Sequence, residues 1–253
     1  MDSLVITIWG EEKTGKSTLA LTFPTPIYHF DLDVGGFARA AWRFKNKDIR
    51  SKPYVAHDEL EKLLKGDITV KAGRRVLGMK ELWQEIIVDY AKVLQDTAIA
   101  TVVMDSGTQL WSICHSAFLQ EKQEAQGKVA DGDLRERLQP MEYGAPNARM
   151  RSIIYAARSY KKNLVITHYP RDIYITQVNS DGKVVDVKSG KIEPDGFKEN
   201  RRLTDLEIST FIDKSGAPRS IITRSGISME ALNIELEPTY DAIIPAIQMM
   251  RGE

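Results

Sequence analysis

The sequence predicts an α/β fold, a twisted and mainly parallel sheet with helices on both faces and a C-terminal β-hairpin region. Three observations predict it. Apolar, β-branched runs at 4–9, 27–34, 98–106 and 164–168 alternate with stretches of helical periodicity. Those runs end in polar or acidic side chains, at Asp31 and Asp33, at Asp105 and at His168, as strands do when they deliver side chains to the carboxyl edge of an open sheet. Near the C-terminus, 206–213 and 219–223 flank Lys214-Ser215-Gly216-Ala217-Pro218, a hairpin signature. With 253 residues a sizeable core is possible, and a single domain over 1–253, with 228–253 as a tail, is favoured over two small ones.

Composition narrows the function classes. Lys plus Arg and Asp plus Glu each number 35, so the formal charge is zero and any polyanion site must be a local patch. One cysteine, Cys114, cannot form an intrachain disulfide, and the N-terminus has no basic segment leading into an apolar stretch. The expectation is a reduced, cytoplasmic protein with no membrane association, since no apolar run approaches the ~18 residues of a span. Histidines at 29, 57, 115 and 168 lack paired ligand spacing, so no structural metal is expected.

The first element is strand, glycine loop, helix. Leu4 to Trp9 leads into Gly10-Glu11-Glu12-Lys13-Thr14-Gly15-Lys16-Ser17, followed by Thr18-Leu19-Ala20-Leu21. The spacing G-x-x-x-x-G-K-S is a phosphate-binding loop (P-loop): glycines let backbone N–H groups turn inward at the positive end of the next helix. Lys16 would reach the β- and γ-phosphates of ATP, and the Ser17 hydroxyl would ligate the accompanying Mg²⁺. An ordinary strand-to-helix turn is the bland alternative, opposed by the agreement of both flanks.

Phe23-Pro24-Thr25-Pro26 breaks the helix, and Ile27 to Gly36 reads as a strand ending in Asp31, Asp33 and two glycines. Asp33 could also be a loop or helix-cap residue. Arg39, Arg43, Lys45, Lys47, Arg50 and Lys52, with Trp42 and Phe44 interleaved, read as a solvated helix face in preference to a nucleic-acid contact. Residues 67–70 and 74–77 suggest a small hairpin.

Lys80 to Asp96 places Leu82, Trp83, Ile86, Ile87, Tyr90, Val93 and Leu94 on one helical face. The buried strand at 98–106 ends in Asp105, suited to hold Mg²⁺ beside the phosphate loop. Cys114 falls on the apolar stripe of the next helix and reads as a packed thiol. Gln120 to Gly144 reads as a long mobile loop or frayed helix. From Pro146 a helix carries Arg149, Arg151, Arg158, Lys161 and Lys162 with no acid among them, either a patch for a phosphate backbone or a solvated helix. His168 ends another buried strand and reads either as a γ-phosphate contact or as a hydrogen-bonded core histidine. A hairpin around Asn179 to Gly182 follows, then a loop-like 188–200 and, after the C-terminal strands, a short helix with Ile243, Ile244, Ile247 and Met250.

Three separated motifs point to a family. Gly10 to Ser17 is similar to the G-E-x-[RK]-T-G-K-T loop of the RecA-like recombinase ATPases. Met104-Asp105-Ser106-Gly107-Thr108-Gln109-Leu110-Trp111 resembles their V-D-S-x-T-x-L-[FY] strand end, and Phe30-Asp31-Leu32-Asp33 their I-D-x-E. Asp31 to Gly36 and Tyr143 to Met150 are similar to stretches of phage-encoded RecA-core proteins associated with single-strand annealing. The resemblance implies a RecA-like P-loop NTPase core from residue 1 to about 228, with Gly10 to Thr18 binding ATP, Ser17 and Asp105 holding Mg²⁺, and Asp33 orienting the attacking water. Lys16 and His168 complete the catalytic set.

It also implies binding of single-stranded DNA through loops at about 120–146 and 169–200, with Arg149, Arg151, Arg158 and Arg171 as contacts. Homo-oligomers are implied in which Lys214, Arg219 or Arg224 of a neighbour completes the ATP site, with a single-strand DNA-binding protein as candidate partner and the bacterial host cytoplasm as location. Two departures stand out. Asp33 replaces a glutamate, which moves the carboxylate by about 1.5 Å and predicts slow hydrolysis. His168 replaces a glutamine, and the segment 168–202 holds seven basic and six acidic residues besides it, a weak argument for DNA. The rivals are a nucleotide-switched interaction protein with little DNA contact and a small-molecule kinase.

Overall fold

A computed structural model describes residues 3–55, 75–127, 133–178, 182–230 and 232–252. Its centre is β1 (Val5–Gly10), buried at every position because it has neighbours on both sides: β5 (Asn163–His168) and β8 (Leu206–Ile212), both parallel to it. Outward from β5 lie β4 (Thr101–Asp105), β2 (Ile27–Asp31) and β3 (Ile49–Pro53), all parallel. Beyond β8, β9 (Pro218–Ser225) and the short β10 (Glu235–Leu236) run antiparallel, completing an eight-stranded sheet of order β10-β9-β8-β1-β5-β4-β2-β3. The expected α/β P-loop NTPase architecture is the one observed, with the β8–β9 hairpin at its C-terminal side.

The apolar runs are continuous because the central strands bury both faces. Val102, Met104, Leu164 and Ile166 pack on one side under α3 (Met79–Gln95), α4 (Gly107–Ala125) and α5 (Gly144–Ser159). Ile6, Ile8, Val103 and Val165 pack on the other, under α1 (Lys16–Ala20) and the C-terminal helix over Tyr240–Arg251. The stripe foreseen on α3 is buried at Leu82, Trp83, Ile86, Tyr90, Val93 and Leu94. Cys114 is a packed thiol, pushed up to about 12 by burial.

Three expectations are corrected, and a fourth falls largely outside the described residues. Ile49–Pro53 is an edge strand beside β2, so Arg50 and Lys52 extend from a strand and only α2 (Gly36–Ala40) and a 3₁₀ turn (Ala41–Phe44) are helical in that basic stretch. Alternating side chains on a half-exposed edge tolerate such charges, which masks the strand in sequence. The helix expected to fray near Gln120 continues to Ala125, and Leu134 and Leu138 beyond it are buried. The 188–200 stretch is not a loop throughout, because β7 (Val184–Pro194) pairs with β6 (Pro170–Val178) as a two-stranded ribbon apart from the main sheet. The hairpin expected at 67–77 lies largely outside the described residues, and Arg75 to Leu77 are not strand.

Candidate active site

Strand parity builds the site. Side chains of a strand alternate between faces, so residues of one parity share a side. On β2, β4 and β5 the odd-numbered residues face the side of α1: Ile27, Val103 and Val165 lie in its core, and His29, Asp31, Asp105 and Thr167 continue the same rows toward the strand ends. Asp31 is paired in register with Asp105, which sets two carboxylates side by side at the carboxyl edge.

The loop after β1 folds as its sequence demands. At Gly10 (φ 155) an added Cβ would stand 2.3 Å from the Thr210 carbonyl oxygen of β8, so only glycine fits; Gly15 (φ 98) takes the left-handed conformation that opens α1. Thr14 donates to the Glu11 carbonyl at 2.8 Å and shares a 2.7 Å hydrogen bond with Thr210. Lys16, buried, donates through Nζ to the carbonyls of Gly10 (2.8 Å) and Glu11 (2.7 Å), with Nζ 4.9 Å from the Tyr169 ring centroid. Burial pulls its amine below the ordinary lysine range against the opposing charges of Asp105, Asp33, Glu11 and Glu12.

Asp105 is 3 % exposed. Burial would raise its carboxyl, but hydrogen bonds from His29, Ser17 and Thr167 outweigh it and hold the group ionised, below the usual carboxylate range. His29 bonds to Asp105 Oδ2 at 3.4 Å and to Ser51 at 2.9 Å. Asp31 accepts from the Gly35 amide at 3.0 Å through Oδ2, while its Oδ1 is buried without a partner among the described residues. Asp33 accepts from Ser106 (3.1 Å) and from the Tyr169 hydroxyl (2.8 Å), and burial pushes its carboxyl up. The peptide between Asp105 and Ser106 is cis.

Lys16, Asp33, Asp105 and Tyr169 line one cleft of about 460 Å³ with Glu12, Lys13, Gly15, Ser17, Thr18, Gly36, Ala40 and two arginines, Arg39 and Arg43. That volume is in the range of small-ligand sites. Lys16 and the Ser17 hydroxyl, both lining the cleft, suit a polyphosphate. Ser17, Asp105 and the partnerless oxygen of Asp31 are a donor set suited to a hard divalent cation.

With that geometry established, comparison with known proteins decides the family. A family model described as an AAA domain matches residues 2–196. The chain belongs to this AAA domain family. As an AAA-like P-loop ATPase domain, its matched span takes in the loop, Asp33, Asp105 and Tyr169. A KaiC-like protein from the hyperthermophilic archaeon Pyrococcus horikoshii OT3 is a structural neighbour at 8 % identity and TM-score 0.41, over 93 % of this chain and 84 % of that one. No curated protein matches.

The remaining sequence-derived residues fall elsewhere, His168 and the four arginines inside the AAA domain and Lys214, Arg219 and Arg224 beyond it. His168 does not reach the cleft. Being even-numbered it faces the opposite side, 1 % exposed, donating through Nδ1 to the Asp195 carbonyl (2.7 Å) and bonded at Nε2 to the Asn200 amide (2.9 Å). Burial lowers its ring to about 4, so it is neutral. The next residue, Tyr169, lines the cleft.

The four arginines proposed for nucleic acid are each paired with an acid from another element or strand. Arg149 meets Glu121 (2.8 Å), Arg151 meets Glu199 (2.9 Å), Arg158 meets Asp205 (2.9 Å) and Arg171 meets Glu193 (2.6 Å). Lys162 is buried on the carbonyls of Asp96 and Ile99. Of the residues expected to act in a neighbour's site, Arg219 is held by Asp213 at 3.1 Å, Arg224 stands 4.0 Å from Glu207, and Lys214 is exposed. Sequence reading missed Tyr169, His29, Arg39 and Arg43; strand parity would have found the first two.

Proposed function

We propose that this protein binds and hydrolyses Mg·ATP in the cleft between the phosphate loop and the ends of β2 and β4, and uses the nucleotide to control its hold on single-stranded DNA as an oligomer. The observation that carries the ATPase reading is the convergence of Lys16, Ser17, Asp105 and Asp33 on one cleft. Mg²⁺, when bound, supplies charge neutralisation at the phosphates. Ser17 and Asp105 would hold it, and Lys16 would exchange its two loop carbonyls for phosphate oxygens. Asp33 would orient the attacking water, its carboxylate fixed between the Ser106 and Tyr169 hydroxyls.

The DNA part of the reading is supported by the motif resemblance to annealing-type, phage-encoded proteins and by Tyr169, which joins the cleft to the β6–β7 ribbon. The pairing of Arg149, Arg151, Arg158 and Arg171 favours a second reading, a nucleotide-switched ATPase that acts through protein contacts. Fluorescence anisotropy of a labelled single-stranded oligonucleotide, with and without Mg·ATP, at two salt concentrations and beside Lys16→Ala, separates them. Binding that needs ATP, weakens with salt and is lost in the variant supports the first reading. Flat anisotropy with ATP still bound supports the second.

A further inference from the structure

We infer that Arg39 and Arg43 form a cationic wall that grips the phosphate chain of the nucleotide from within the same subunit. The inference rests on the nucleotide reading of the cleft and adds residues that the loop motif does not include. Both side chains line the cleft together with residues of the loop, one helical turn apart across α2 and the 3₁₀ turn that follows. Arg43 Nη1 stands 3.3 Å from Thr18 Oγ1, on the residue after Ser17, and its guanidinium lies 5.0 Å from the Trp42 ring. Arg39 reaches back over the Gly35 turn, where an added Cβ would stand 3.8 Å from its Nη1.

Among the described residues neither guanidinium is paired with a carboxylate, although Asp33 and Asp105 line the same cleft. Solvated surface arginines elsewhere in this protein do find acids, Arg50 with Asp48 and Asp96 among them. A guanidinium presents a planar fork of donors matched to phosphate oxygens, and it is always charged. Two such forks lining the cleft beside Lys16 would add their donors to those of the loop around a polyphosphate bound there. The position also makes a basic group from a neighbouring subunit, such as Lys214, unnecessary for binding.

The test is the affinity for Mg·ATP, ADP and AMP, measured calorimetrically on wild type, Arg39→Gln/Arg43→Gln, Lys16→Ala and the surface control Arg50→Gln, with thermal unfolding to show that each is folded. Charge-assisted bonds of this kind are worth roughly tenfold or more apiece. The double variant should therefore lose about 100-fold for ATP, less for ADP and least for AMP, while Arg50→Gln binds as wild type. Wild-type affinity should also be independent of protein concentration. Equal affinities in the double variant would overturn the inference alone. An equal loss for all three nucleotides would overturn it in favour of a contact to the nucleoside, and affinity that rises with protein concentration in favour of a neighbour's residue. A wild type that binds no ATP, indistinguishable from Lys16→Ala, would overturn the nucleotide site and the inference with it.

Discussion

The cleft and the outer face of α5 carry similar numbers of basic side chains, yet they differ in what those charges can do. On α5 and the adjoining ribbon, Arg149, Arg151, Arg158 and Arg171 have partners from α4, from the two ends of the short helical segment 199–205 and from β7. In the cleft, Lys16 rests on carbonyls of its own loop, and Arg39 and Arg43 stand without a carboxylate among the described residues. A cation already paired has little left to offer a polyanion, whereas one held on neutral carbonyls can exchange them for phosphate. Counting charges along a helix therefore does not tell the two regions apart.

Four experiments press on that difference. Asp33→Asn should lower ATP turnover by about 10²–10⁴-fold with nucleotide affinity nearly unchanged, read by steady-state phosphate release, because under the proposed mechanism it removes the carboxylate that would position water. Lys16→Ala should weaken Mg·ATP binding by about 100-fold or more while circular dichroism is unchanged; unaltered turnover in this variant would refute the site.

His168, buried between the regions, should make stability pH-dependent. Its folded value, about 4, lies below the ordinary 6.5, so the unfolded chain binds the extra proton. Stability should thus be full above about pH 6.5 and fall by up to roughly 3 kcal/mol as pH drops toward 4. Denaturant titrations from pH 7 to 4 should show this slope, flattened in His168→Gln. The smallest effect belongs to the outer face. Replacing Arg149, Arg151 and Arg158 by alanine should cost about 0.2–1 kcal/mol each, the scale of partly exposed ion pairs, and change oligonucleotide affinity less than twofold. Abolished binding would mean that these pairs open to receive DNA.

What was legible in the sequence was local. The strand, the loop and helix α1 are dictated by contiguous residues. Asp105 and Asp33 announce themselves because a carboxylate at the end of an apolar run is costly to bury unless a cation or hydrogen-bond donors meet it there. What stayed hidden depends on neighbours in space. Glu121, Glu199 and Asp205 are 28, 48 and 47 positions from the arginines they neutralise, so no window along α5 contains them. β3 was obscured because an edge strand tolerates Arg50 and Lys52. His168 and Tyr169 are adjacent in sequence, and only the parity of β5 against β4 tells which one turns toward the loop.

Tyr169 is also the root of the β6–β7 ribbon. Its carbonyl accepts from the Asp195 amide at 2.7 Å, and the Asp195 carbonyl in turn receives bonds from His168 and from Thr108 of α4. The ribbon is therefore clamped at its base to the sheet and to a helix, while its nine-residue strand β6 extends about 30 Å from that clamp. By lever geometry, a tilt of about 10° at the base sweeps the tip through about 5 Å. Displacement too small to register inside the cleft thus becomes travel on the scale of a whole side chain at the far end.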